Sequence, residues 1–113
     1  MGQAAAGKIM LYVTVEILRF VDDHMPGFVE CRLIDVLGES HTFIEKISVV
    51  TTAYLDSASH FPQPGSLGCE MITMGQDEQG HELREITTEQ PWNIESTLGK
   101  SKFVVLADQL SEE

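Results

Sequence analysis

Residues 27–46 constrain the fold more than any other part of the chain, because they form two alternating runs joined by a short, glycine-containing turn. In the first run Val29, Cys31 and Leu33 share one face and charged residues occupy the other, which is the period of a half-buried strand. Phe43 is the apolar anchor of the return run. The stretch is therefore predicted to be a β-hairpin with one face in the core.

Four further segments have the alternation or the β-branched composition of strands. Turn residues separate them at intervals typical of small β domains. In the fifth predicted strand Leu83 and Ile86 fall on opposite faces, which predicts a bulge or an irregular edge strand. The four segments are residues 8–21, a strand that starts at Leu67, residues 81–88 and residues 102–107.

The long connection over residues 51–66 contains the one segment that is predicted to be helical. Residues 52–59 are expected to form a short helical turn, and Tyr54, Leu55 and Phe61 are expected to pack across an open end of the sheet. The predicted fold class is all-β, with about six mostly antiparallel strands in a single small barrel or sandwich.

The chain has 113 residues, which is enough for one domain with its own core. Residues 1–7 are small and polar and have no periodicity. They are predicted to be a leader before the folded domain, either disordered or artificially added. Residues 8–113 are predicted to form the single β-barrel-like domain.

Charge limits the kinds of partner that the chain can bind. It has 18 acidic and 7 basic residues, and its net charge is −11. Because phosphate backbones would be repelled, nucleic acid is not a predicted partner. A basic protein is the predicted partner, with simple solubility as the alternative explanation of the acidity. The acidic residues proposed for such binding are Glu78, Glu82, Glu85 and Glu89.

The two cysteines, Cys31 and Cys69, both fall on the apolar faces of predicted strands, where a free thiol acts as a small buried hydrophobe. Reduced thiols predict the cytoplasm. No apolar run approaches the roughly 18 residues of a membrane span, so no membrane association is expected.

His41 is the strongest candidate for chemistry. It opens the return strand of the hairpin, on the same face as Glu45 and two residues after Glu39. As a functional residue it would be a general base held by a carboxylate. As a structural residue it would be a histidine at the rim that is hydrogen-bonded to its turn, and this second interpretation is favoured.

Trp92 is the only tryptophan and follows a proline in a polar loop. It would either anchor a partner protein or close the barrel end as a core plug, and the plug is favoured.

No motif predicts a metal or a cofactor. The four histidines lack the spacing that places two of them on one helix face. Residues 2–8 begin like a phosphate-binding loop, but Ile9 stands where a serine or threonine must hold magnesium.

The predicted function is that of a non-enzymatic, acidic interaction domain for a basic protein, of which an inhibitor or immunity-like role is one example. The alternative is a small-ligand-binding or hydrolytic domain that uses a pocket at the open barrel end near His41. A third hypothesis is a homo-oligomer formed through an edge strand, for which the fifth strand is the candidate.

Overall fold

The computed structural model describes residues 9–22, 24 and 27–113, so the predicted leader lies outside the described residues. The described chain forms seven antiparallel strands that curl into a half-barrel, which confirms the all-β prediction. A short helix and a 3-10 turn complete it. The elements in order are β1 (Leu11–Asp22), β2 (Phe28–Ile34), β3 (Ser40–Lys46), α1 (Ile47–Val50), β4 (Gln63–Gln76), β5 (Glu82–Thr87), β6 (Lys102–Leu106), the 3-10 turn (Ala107–Gln109) and β7 (Leu110–Glu112).

Strand β1 is the centre of the sheet because it pairs with three other strands. Its first half pairs with β4 on one edge and with β7 on the other edge, and its second half pairs with β2. The resulting order is β3-β2-β1-β4-β5-β6, with β7 against β1. The pairing of β1 with β4 begins at Leu11, which lies opposite Cys69. Strand β4 continues beyond that point.

The buried residues follow the alternation that the sequence predicts. The apolar face of the central hairpin is buried, so its assignment to the core is confirmed. Strands β1 and β2 each contribute three buried side chains to the same cluster. The core residues of β1, β2 and β3 are Val13, Val15, Ile17, Val29, Cys31, Leu33 and Phe43.

Both cysteines are free and buried in the core, as predicted. Burial, with a smaller contribution from neighbouring glutamates, raises the pKa of Cys31 and of Cys69 to about 12. At neutral pH both side chains are therefore protonated thiols, and neither is a nucleophile.

The short helix lies at Ile47–Val50 and not near residues 52–59, so its predicted position is wrong. In the predicted segment, side chains bond to nearby backbone N–H groups and replace the helical pattern. Thr51 Oγ1 accepts from the N–H of Ala53, and Asp56 Oδ1 accepts from the N–H of Ala58. These local bonds hold the segment in turns.

Two of the three side chains that were expected to pack over the sheet do so. Leu55 and Phe61 pack against the core, and the Phe61 ring meets Phe20 edge-on at 5.9 Å between centroids. Tyr54 is 84% exposed, so its predicted burial is wrong.

The prediction that the fifth strand is an edge is also wrong, because β5 pairs with β4 on one side and with β6 on the other. The irregularity lies in β4 instead, where a register shift occurs between Met71 and Thr73. Ile86 is buried, while Leu83 lies on the other face of β5.

Three turns of the half-barrel share one design. An Asp or Ser side chain accepts backbone N–H bonds from residues two and four positions ahead, and a glycine with a positive φ follows three positions after it. Glycine is favoured there because left-handed backbone is costly for other residues. The turns run from Asp35 to Gly38, from Asp77 to Gly80 and from Ser96 to Gly99.

The two ends of the curled sheet meet along a line that we call the seam. The Val36 N–H donates to the carbonyl oxygen of Val104 at 2.9 Å, and the Thr97 N–H donates to that of Thr42 at 2.8 Å. These bonds join the β2–β3 hairpin to β6 and to the loop before it. The turn between β2 and β3, and His41 just after it, therefore lie at the seam.

Gly65 of β4 offers a test of the packing between β4 and β1. A Cβ atom at this position would lie 3.0 Å from Ile17 side-chain carbons and 3.0 Å from the carbonyl oxygen of Val50. We expect Gly65→Ala to lower the free energy of unfolding by about 1 to 3 kcal/mol in urea denaturation.

Gly75 is the matched control, since it lies in the same strand and a Cβ atom there would meet nothing within 4 Å. Gly75→Ala is expected to change the free energy of unfolding by less than about 0.5 kcal/mol. Equal losses in the two variants would contradict the described contact of Gly65 with β1.

Candidate functional site

His41 lies in the seam and is held there by Asp35, a residue that the sequence analysis did not identify. His41 Nε2 donates to Asp35 Oδ2 at 2.8 Å, and the two side chains are 9% and 13% exposed. The imidazole also packs on the Phe103 ring, with 4.8 Å between centroids. The histidine is thus hydrogen-bonded to a carboxylate of its own turn, an arrangement that both interpretations of His41 contain.

Two opposing effects set the charge of Asp35. Burial would raise the pKa of its carboxyl, but the hydrogen bonds from His41, Glu39 and Leu37 outweigh burial and hold the pKa below its ordinary value. The carboxylate is therefore ionised at neutral pH. It accepts two backbone N–H bonds through Oδ1 and the imidazole through Oδ2, so it ties the turn to the histidine.

A shallow cleft of about 240 Å³ adjoins this pair along the seam. Lys100 and Lys102 line it, and neither forms an ion pair with a residue that the structure describes. Glu85 also lines the cleft, and Lys100 Nζ lies 5.9 Å from the centroid of the Phe103 ring. The cleft therefore has cationic, anionic and aromatic walls.

Only two of the three predicted catalytic residues come together. Glu39 lies in the turn beside His41 and lines the same cleft. Glu45 lies four residues along β3, opposite Val29, while His41 lies opposite Leu33. Partial burial raises the pKa of Glu45. The carboxylate that orients the imidazole is that of Asp35, and Glu45 belongs to the other end of the strand.

Among the described residues, Asp35, Glu39 and His41 are the group whose oxygen and nitrogen atoms lie close enough together to hold a metal ion, within 4.8 Å of one another. In this arrangement the Asp35 carboxylate already binds the imidazole and the turn amides. The local hydrogen bonds therefore account for the group as a structural unit.

A second Asp–His pair supports the structural role of the first. His81 Nδ1 lies 2.8 Å from Asp77 Oδ2 in the turn between β4 and β5, where both side chains are much more exposed. The same distance recurs in an open, solvated turn. An Asp–His pair therefore recurs in two of the three turns, six residues apart in the first and four residues apart in the second.

Trp92 lies on the outer surface of β4 and is 45% exposed, so the plug interpretation is wrong. Its ring covers Gly68, where a Cβ atom would approach the indole to 2.9 Å. Tyr12 packs beside it at 6.1 Å between ring centroids. A cavity of about 420 Å³ adjoins these two aromatic side chains.

The four acidic residues proposed for partner binding do not lie on one face. Strand alternation places Glu82 and Glu85 on opposite faces of β5. Glu78 lies in the turn before β5, and Glu89 follows the strand; both are exposed. The acidic side chains thus surround the β4–β5 hairpin.

Of the residues that sequence reasoning missed, Asp35 has a recognisable signal and the two lysines do not. Asp35 is the first residue of an Asp-x-x-Gly turn, and His41 is the second residue of the strand that follows the turn. Lys100 and Lys102 come from a distant segment that the seam brings near, which no local pattern indicates.

The comparisons with known proteins add no assignment. No family model, curated protein or solved structure matches this chain. Within the described residues, no helix has the length and apolar character needed to cross a membrane.

Asp35→Asn tests the role of the pair. The substitution keeps an oxygen for the turn and removes the charge, so we expect it to lower the free energy of unfolding at pH 7 by about 1 to 3 kcal/mol. The pKa of Asp35 is lower in the folded chain, so its contribution is present above its unfolded pKa of about 4 and is lost as the pH falls through the folded pKa. Urea denaturation should show the difference shrinking below about pH 4.

Asp77→Asn is the matched control, because Asp77 occupies the equivalent place in an exposed turn. Its effect on the free energy of unfolding should be smaller than that of Asp35→Asn. If the two substitutions have the same effect, or if the difference at Asp35 does not change with acid, burial of the pair is not what makes it stabilising.

Proposed function

We propose that this chain is a non-enzymatic interaction domain that binds a basic protein partner. The observation that carries the proposal is the distribution of its charges. Each of its three arginines, Arg19, Arg32 and Arg84, already forms an ion pair with a glutamate. Only lysines remain to balance the other carboxylates, so the surface keeps a strong negative potential that attracts cationic surfaces.

Several exposed carboxylates support this proposal because they have no cationic partner among the described residues. Glu78, Glu89 and Glu95 are exposed and form no ion pair there. Forming ion pairs with a partner would not require these side chains to give up existing ones. An inhibitor or immunity-like role against a basic protein belongs to this class.

The alternative is a ligand-binding or hydrolytic domain that uses His41, and the geometry supports it less well. The cleft beside His41 is about 240 Å³, below the roughly 300 to 1,000 Å³ that is usual for small-molecule sites. The histidine and its carboxylate also serve the turn. The interaction function is therefore preferred.

The compartment and the assembly that we propose rest on separate observations. We place the domain in the cytoplasm, because two unbridged, buried thiols suit a reducing environment. No cofactor and no nucleic acid enter the proposal. Within the described residues, β5 is paired on both sides, so an edge-strand homo-oligomer would have to form through another strand with an open side.

Affinity capture on the immobilised chain tests the proposal. At low salt the chain is expected to retain proteins of basic isoelectric point and to release them progressively as the salt concentration rises, because screening weakens exposed charge pairs. The measurement is the identity and elution salt of the retained proteins. Recovery of nothing, or binding that salt does not weaken, would contradict the proposal.

A further inference from the structure

Beyond Cys69, strand β4 continues as one arm of a hairpin that leaves the body of the sheet. Its last seven residues, 70–76, are all exposed. In the part of the chain that the structure describes, they pair with β5 on one side and with no strand on the other. Backbone N–H and C=O groups on such an edge are a template for an added strand.

The bulge in β4 gives this edge an apolar face. Because the register shifts between Met71 and Thr73, Met71 lies opposite Ile86 and Met74 lies opposite Arg84, on the same face of the hairpin. Both methionines line a groove of about 420 Å³ together with Leu11 and Leu110, and Arg84 and Glu112 also line it. Met74 is 68% exposed. The groove can therefore receive apolar side chains from a neighbouring strand.

Carboxylates flank the same edge on both faces. Thr73 Oγ1 donates to Glu85 Oε1 at 3.2 Å, and Gln76 Nε2 donates to Glu82 Oε2 at 3.0 Å. Both glutamates thus reach from β5 across to β4, one on each face. Residues 71–76 themselves have no charged side chain. Within the described chain, the edge therefore has unpaired backbone N–H and C=O groups, a groove lined by two methionines, and glutamate carboxylates nearby.

We propose that residues 71–76 bind an extended segment of the partner as an additional strand, with apolar and basic residues alternating along that segment. Its apolar side chains would enter the methionine groove, and its basic side chains would meet Glu85 on the other face. The inference rests on the proposed function and names the surface and the chemistry of the partner.

Charge complementarity favours a basic segment over a second copy of this chain. A second copy carries the same net charge of −11 and would bring its own Glu82 and Glu85, each one strand away from the shared edge, so the two copies would repel each other. A basic segment would instead place its cations on the face that carries Glu85. Salt would weaken that binding, as it would weaken the general charge attraction.

A short peptide in which lysine and valine alternate is the probe. Titrated against the complete chain and followed by nuclear magnetic resonance, it is expected to shift the backbone signals of residues 70–76. A peptide with glutamate in place of lysine should not bind. Nor should a Lys–Val peptide whose alternate amides are N-methylated, because it cannot donate to the edge. Equal binding of the methylated peptide would overturn strand addition.

Met74→Lys is the test variant, and Leu98→Lys is its matched control. Both replace an exposed apolar residue by a cation, and Leu98 is 88% exposed in a turn far along the chain. Met74→Lys should weaken peptide binding by about tenfold or more, because it places a charge beside Arg84 in the groove. Leu98→Lys should have a much smaller effect. Equal weakening would mean that only overall charge matters.

Capture experiments separate this inference from the general function. If Met74→Lys retains the same basic proteins as the unchanged chain, the hairpin assignment is wrong and the interaction function stands. If the unchanged chain retains none, the function itself fails. If sedimentation shows a dimer that Met74→Lys abolishes, the occupant of the edge is a second copy and the proposal is overturned.

Discussion

The pairing of β1 on both of its edges is the constraint on which the rest of this structure depends. Its backbone bonds to β4 on one side and to β7 and β2 on the other, while Val13, Val15 and Ile17 enter the core from one face. A strand used in this way curls the sheet around itself. It also determines where pairing stops, because β1 begins at Leu11 and β4 runs on past Cys69.

The mismatch in length between β1 and β4 connects the fold to the proposed function. A sheet whose strands ended together would leave no hairpin outside the core. Here the second half of β4 has only β5 as a neighbour within the described chain, and its side chains are exposed. Edges of this kind are usually protected by charge or by cover. The flanking carboxylates of Glu82 and Glu85 would disfavour acidic or identical strands and still admit a basic one.

Isolated backbone hydrogen bonds join the two sides of the seam. In a closed barrel, a continuous strand pairing would join them. Its backbone bonds at Val36 and Thr97 lie in turns, and the turns are shaped by side chains such as that of Asp35. His41 and Phe103 pack at the same place. His41, the strongest catalytic candidate in the sequence, therefore lies where the two ends of the half-barrel meet.

The sequence predicts the parts of the fold that local periodicity controls. The hairpin core, the buried thiols and the glycine turns follow from the spacing of residues alone. The helix position failed because Thr51 and Asp56 bond to nearby amides, a competition that propensity does not weigh.

Features that depend on distant contacts were not predictable in the same way. The exposure of Met71, which sits on the apolar phase of β4, results from the end of β1 pairing. The surface position of Trp92 results from Gly68, which leaves space for the indole. The bulge in β4 is visible only in the register with β5. Each of these depends on a partner strand whose length and register are not written in the local sequence.

Amide hydrogen exchange, followed residue by residue, is the most direct test of the central claim that an open strand edge extends from a closed core. The amides of Val13, Val15 and Ile17 are expected to exchange slowest, through global unfolding only. The amides of residues 71–76 that point away from β5 should exchange orders of magnitude faster. Protection of those edge amides equal to that of β1 would contradict the account.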